Sequence, residues 1–175
     1  MNFRGLLCKR VFRHEILYLC SVIRNLDNDR SIETLYNLVA DDDDRVAYNA
    51  LWIFSHLTTE DSRWLLKRRN ELIDQLLVEA HVGKKRLILT LLERQPVEKE
   101  NIRTDYLDFC LSSINSAEPY AIRALCLKQA FAQCRHYPEL VQELIACINM
   151  MEPFEISPGL RSARNNILKQ LAKSK

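Results

Sequence analysis
Glycine is nearly missing from this chain: three in 175 residues, with five prolines beside them. Tight hairpin turns lean on both residue types, so their scarcity argues against a many-stranded β fold and favours helices joined by short connections. It also leaves no Gly-x-Ser-x-Gly elbow, Walker loop or dinucleotide fingerprint, which three glycines could hardly build. No segment approaches 18 uninterrupted apolar residues, so no membrane span is expected. The first ten residues lack the apolar run and small-residue cleavage site of a secretory signal. An excess of one charge is missing too, with 25 basic residues against 23 acidic, so the total gives no reason to expect nucleic acid. Paired cysteines are absent: positions 8, 20, 110, 126, 134 and 147 include no Cys-x-x-Cys, and five fall within apolar helical patterns. They read as reduced, buried small hydrophobes in a cytoplasmic protein. His14, His56, His81 and His136 show no metal-ligand spacing, so neither metal nor cofactor is expected.

What is present is a chain with 47% apolar and 27% charged residues, long enough for one ordinary domain with a sizeable core. Its clearest stretch runs from Asp44 to Leu57, where Val46, Ala50, Ile53, Phe54 and Leu57 share one side of a helix. Before it, Phe3 to Asn25 reads as one helix with Phe12, Ile16, Leu19, Cys20 and Ile23 inward. Asp27-Asn28-Asp29 breaks that helix, and Ser31 starts a short one carrying Ile32, Leu35, Leu38 and Val39. The acids Asp41 to Asp44 lack the alternation, glycine and closing glutamate of a calcium loop, and read instead as caps for the next helix.

After Thr58-Thr59 a long helix is expected from about Glu60 to Ala80, with Leu65, Leu72, Ile73, Leu76, Leu77 and Ala80 inward. Its Lys67-Arg68-Arg69 cluster reads as solvated. A break near Val82-Gly83 leads to a helix over Lys84 to Arg94, stopped by Gln95-Pro96. Helices over Ile102 to Ile114 and Ala121 to Cys134 follow, then one opening at Pro138 and a last one from Gly159 to Lys173, about nine in all.

Successive segments fall into register at a step of 38 residues. Val46, Lys84, Ile122 and Leu160 align, as do Phe54, Leu92, Ala130 and Leu168; in the preceding helices Leu38, Leu76 and Ile114 align, with Thr34, Leu72, Cys110 and Ile148 one turn earlier. A two-helix unit of this length cannot bury its apolar face alone and must stack on its neighbours. The repeats fall at roughly 1–25 (a half repeat), 31–58, 60–94, 101–135 and 137–173, within a single domain, 1–175.

The period, the pattern Asp44-x-Val46-x-x-x-Ala50-Leu51 and the pairs Ile122-Arg123 and Leu160-Arg161 resemble HEAT or armadillo-like repeats. Lys84 departs from that pattern, standing where an aliphatic residue belongs, and so does Ala47, where arginine belongs. The resemblance implies an all-α fold, a right-handed superhelix of stacked helix pairs whose second helices line a concave face. It also implies a non-catalytic scaffold that binds a protein or peptide. Arg123 and Arg161 would then hydrogen-bond between repeats. The alkylpurine DNA glycosylases of the AlkD type share the architecture, but their catalytic aromatic and acidic positions have no residue-by-residue match here.

On the side of each second helix away from its apolar stripe, repeat-matched positions carry Arg10, His14 and Tyr18, then Tyr48, Trp52 and His56, then Arg86, Thr90 and Arg94, then Lys128 between two alanines. Basic and aromatic groups with no carboxylate suit an acidic peptide, or phosphates with stacked bases. The same rings could instead serve as packing between neighbouring repeats. Two classes of function stay open: a protein-interaction scaffold, and a nucleic-acid-binding module using this stripe and the C-terminal helix.

Overall fold
Side-chain caps start some of the helices in the computed structural model, which describes residues 2–25, 29–58, 61–152 and 154–173. Ten α-helices and three short 3-10 segments account for the regular structure among these residues, with no strand. The helices are α1 (Phe3–Leu7), α2 (Arg13–Asn25), α3 (Asp29–Tyr36), α4 (Asp44–His56) and α5 (Arg69–Val78), then α6 (Val82–Glu93), α7 (Thr104–Ile114), α8 (Tyr120–Cys134), α9 (Pro138–Asn149) and α10 (Pro158–Lys173). Contacts divide the chain into two compact units, residues 1–94 and 95–175.

In the first unit α1 and α2 both pack on α4, α4 packs on α6, and α5 packs on α6. The expected single helix from Phe3 to Asn25 is two. The carboxylate of Glu15 accepts the backbone N–H of Phe12 at 2.8 Å, half of a capping box that starts a new helix at Arg13. Asn49, buried in the middle of α4, closes the break from the other side: its Nδ2 donates to the carbonyls of Leu7 at 2.9 Å and Lys9 at 3.3 Å. Phe12, assigned inward from its spacing, lies in that break and is 49% exposed. Ile16, Leu19, Cys20 and Ile23 are buried as expected.

Ser31 does not start its helix, because α3 already runs from Asp29 and Thr34 Oγ1 donates back to Arg30 O at 2.8 Å inside it. The expected breaks at Asp27-Asn28 and at Thr59 lie outside the described residues. The acids do cap: Asp43 accepts the N–H of Arg45 at 2.9 Å, and Asp41 takes the guanidinium of Arg4 at 2.8 Å. The long helix expected to Ala80 is a 3-10 segment (Asp61–Arg68) followed by α5, which ends at Val78 and leaves Ala80 exposed. The basic cluster is only partly solvated. Arg68 lies over the rings of Trp64 at 5.0 Å and Tyr36 at 5.6 Å and pairs with Glu33 and Glu71, while Arg69 is buried. The break expected at Val82-Gly83 comes earlier, over Glu79 to His81, because His81 Nδ1 caps α6 by accepting the N–H of Lys84 at 3.2 Å.

Lys84, the irregular member of the apolar column, is only 8% exposed. Its ammonium reaches Asp44 at 2.7 Å and Glu79 at 3.0 Å. Burial works against its charge, but the two carboxylates outweigh burial and raise its pKa above the ordinary value. The position therefore keeps the inward geometry of the column and fills it with an ion pair linking two successive helix pairs.

In the second unit α7 packs along α8, α8 carries α10 and α9, and α9 also touches α7. Tyr106 on α7 is fully buried, and its hydroxyl donates to Gln129 Oε1 on α8 at 3.1 Å. Arg123 and Arg161 are structural within a repeat, where a bond between repeats was expected. Arg123 Nε donates to Ile114 O at 2.7 Å, closing the end of α7, and Arg161 Nη2 donates to Ile156 O at 3.3 Å. The carbonyls left over at a helix end and at a connection are nearer than the neighbouring pair. The six cysteines are unbridged; Cys20, Cys110, Cys126 and Cys134 are buried, Cys147 is half-buried, and Cys8 is exposed on the turn after α1.

Candidate functional site
The apolar side of α4 is consumed by α1, α2 and α6, which leaves a strip on which Tyr48, Trp52 and His56 follow at one-turn intervals. All three are half-buried. Their rings form a continuous run. Tyr48 and Trp52 have centroids 6.2 Å apart, and Trp52 meets His56 edge to face at 5.9 Å. His81 extends the run at the other end, 6.1 Å from Tyr48.

Gly83 is what lets this run pass. A Cβ there would lie 2.9 Å from Tyr48 Cε2 and 3.0 Å from the His81 ring, closer than real Cβ contacts come.

Beside the run, Arg86, Thr90 and Arg94 follow along α6 and its C-cap. An open cleft of about 680 Å³ lies between the two strips, lined by Trp52, Ser55, His56, Thr58, Arg86, Thr90 and Arg94 over a floor of Leu57 and Leu87. Arg94 Nη1 donates to Leu57 O at 3.4 Å, and Arg86 has no carboxylate partner among the described residues. His56 Nδ1 sits 3.0 Å from Trp52 O. Among the described residues no carboxylate lines the cleft, and its polar groups are guanidiniums, an imidazole, hydroxyls and an indole. A wall rich in donors suits a group that presents oxygen acceptors and negative charge.

The structure thus brings together Trp52, His56, Arg86 and Arg94, with Tyr48 packed against Trp52. Arg10 and His14 gather elsewhere, around Phe12: the Arg10 guanidinium lies 5.1 Å over that ring, and His14 stacks on it at 6.0 Å. Tyr18 stands on α2 with 66% of its surface exposed. Lys128 is exposed on α8 in the second unit. Sequence reasoning missed Ser55, Thr58 and His81. Ser55 and Thr58 lie beyond the helix phase used to find the stripe, and His81 precedes α6 as its cap. The signal that could have found His81 is the break at Glu79 to His81, since an N-cap side chain stands beside the first turn it caps.

Among known protein families, the model of the HEAT repeat domain matches residues 3–171. The chain belongs to the HEAT repeat domain family. That match spans both units and agrees with the helix pairs in each. No curated protein and no solved structure matches the chain significantly. HEAT repeats are helical modules typically used for protein interaction, and no helix among the described residues is long and apolar enough to cross a membrane.

Proposed function
We propose that this HEAT domain is a non-catalytic scaffold, one repeat domain over its whole length, that holds an acidic segment of a partner protein against α4 and α6. One observation carries the reading: the cleft between these helices presents Trp52, Arg86 and Arg94 to solvent, with no carboxylate among the described residues that line it. An indole offers a broad apolar face at low conformational cost, and guanidiniums bind carboxylates in paired, charge-assisted hydrogen bonds. The free thiols suit a reducing, cytoplasmic setting.

A second reading has support from the same cleft. An aromatic face beside two arginines also suits a nucleic-acid strand, its base on Trp52 and its phosphates on the arginines. Salt separates the two. Phosphate binding falls log-linearly and steeply with salt, whereas a segment anchored on an indole keeps most of its affinity.

Fluorescence anisotropy on the full chain tests both, with an acidic peptide containing aromatic residues, its lysine-substituted counterpart and a single-stranded oligonucleotide. The acidic peptide is expected to bind, and Trp52→Ala to cost about 2 kcal/mol of that binding, as a central interface tryptophan does. Arg86→Glu is expected to weaken binding without lowering the melting temperature, since an exposed side chain carries little packing energy. Equal affinity for the lysine peptide, or binding indifferent to Trp52→Ala and Arg86→Glu, would refute the assignment. Preference for the oligonucleotide with a steep salt slope would transfer the cleft to the second reading.

A further inference from the structure
We propose that the groove between α9 and α10 in the second unit is a separate docking site for a short amphipathic helix of a partner protein, with apolar side chains in the groove and a carboxylate at Arg135.

The two helices that should close the last repeat leave a gap. α7 packs on α8, but α9 and α10 each pack on α8 and make little contact with each other. The gap measures about 580 Å³. Phe131 from α8, Val141 and Ile145 from α9 and Leu171 from α10 provide its apolar walls, and all but Leu171 remain half-exposed.

Hydrogen bonds tie both ends of α9 to groups outside the groove. At the C-terminal end of α9, Asn115 Nδ2 donates to Cys147 O at 2.9 Å, tying α9 to the end of α7. At its start, a ring nitrogen of His136, Nε2, lies 3.1 Å from Val97 O. Between α9 and α10, Met151 and Ile156 are buried, and Tyr120 donates its hydroxyl to Glu155 O at 2.9 Å. The opening is therefore built in, with both ends anchored to groups outside it.

Charge selects the occupant. Arg135, at the C-terminal end of α8, lines the groove, is exposed and has no ion-pair partner among the described residues. Among the described residues no carboxylate lines the groove, and the His136 nitrogen is already engaged. A single cation among the described lining residues, beside carbon walls, does not suit a nucleic-acid strand, which is held by a row of cations. The groove runs about two turns along α9, from Pro138 to Ile145, past Phe131 and Arg135 of α8 and against the last turn of α10, a strip that a short helix can occupy with apolar anchors at one-turn spacing.

The test uses stapled peptides of about 14 residues, long enough to hold a helix, with two leucines one turn apart and either glutamate or lysine at the end facing Arg135. Binding to the full chain is read by anisotropy, and the contacted residues are mapped by amide chemical-shift changes on the wild-type chain. The glutamate helix is expected to bind and to shift residues of α9 and α10. Ile145→Arg should weaken it by roughly tenfold or more, as loss of a central anchor does, and Arg135→Glu should exchange the preference from glutamate to lysine. The shift map on wild-type protein keeps the proposal testable if Ile145→Arg fails to fold. The proposal is overturned if neither peptide binds, if the shifts fall on α4 and α6, or if both peptides bind equally. It is overturned equally if the chain self-associates through a contact that Ile145→Arg abolishes, since the groove would then belong to a second copy.

Discussion

Lys84→Met probes how a charged residue occupies an apolar column. Methionine is close to lysine in length and unbranched, so packing is nearly conserved and the change isolates the loss of the ammonium. Its two partners differ. The Asp44 side chain is 66% exposed and recovers water when the lysine goes. The Glu79 side chain is 8% exposed and keeps only the N–H of His81, at 2.8 Å. Removing one partner from a fully buried pair costs about 3–5 kcal/mol, chiefly through the stranded charge. Here the Asp44 side is open to solvent, and one hydrogen bond to Glu79 survives. About half that range, roughly 2 kcal/mol, is expected.

For a chain of this size that lowers the melting temperature by about 4–8 °C. The decisive variant is Lys84→Met with Glu79→Gln, which removes the stranded charge. It should be no less stable than Lys84→Met alone, although Glu79→Gln by itself costs about 1 kcal/mol. The two changes should therefore depart from additivity by about 1 kcal/mol or more in thermal melts of the four-member cycle. A Lys84→Met protein that melts at or above the wild type, or a cycle that adds, would refute the reasoning and make the ion pair incidental to the column.

Asn49→Ala should cost about 1–2 kcal/mol, because the carbonyls of Leu7 and Lys9 lose their donor, and the amides of α1 should exchange faster with solvent; unchanged protection of α1 would contradict this. Alkylation at mildly alkaline pH should modify Cys8 first, while burial holds the Cys134 thiol up at about 12 and Cys110 well above its ordinary value, so both should react only after unfolding; labelling of either at the rate of Cys8 in the folded chain would count against the burial. Hydrogen bonds from Arg4, Lys84 and Arg103 hold Asp41, Asp44 and Asp105 below the ordinary 3.8, so their contribution is present above that value and lost as pH falls through the lower folded values. The raised Lys84 contributes below its ordinary 10.5 and loses that contribution as pH rises through its higher folded value, and the buried thiols of Cys110 and Cys134, raised from 9.0, lose theirs above that pH, so melting temperature should be level between 3.8 and 9.0 and fall on both sides, with Lys84→Met making the alkaline fall shallower; a melting temperature that changes steadily across neutral pH would contradict it.

The apolar columns were legible because they obey two regular spacings at once, 3.6 residues along a helix and 38 along the chain. Val46, Ile122 and Leu160 are buried, and so are Leu72, Cys110 and Ile148. The start of α2 was less legible, because Phe12 continues the helical spacing while Glu15 and Asn49 end it. One acts through a local cap, and the other reaches across 42 residues of sequence. Arg68 and Arg69 look solvated in sequence because their neighbours are charged, whereas the rings of Tyr36 and Trp64 and the carboxylate of Glu33 meet Arg68 only after folding.

The two candidate surfaces differ in origin, which explains why only one could be read in advance. The α4–α6 cleft comes from regularity: repeat-matched positions on neighbouring helices present the same face, so a step of 38 from Tyr48 and His56 leads to Arg86 and Arg94. The Arg10 and His14 positions obey the same register, yet the rings there turn to Phe12, because the helix that should carry Arg10 breaks before Arg13. The α9–α10 groove comes from the opposite cause. The register puts Ile148 and Leu160 inward, and both are buried as the repeat requires. The distance between α9 and α10 goes with Asn115 and His136, which anchor the two ends of α9. That distance is not a property of any residue's periodicity. It accompanies polar anchors whose partners are backbone carbonyls, Cys147 O, Val97 O and Glu155 O, and a carbonyl is present at every position whatever the side chain. Sites made by a lattice of side chains are therefore visible in a repeat sequence, while sites made by a defect in the stacking appear only once the backbone is in place.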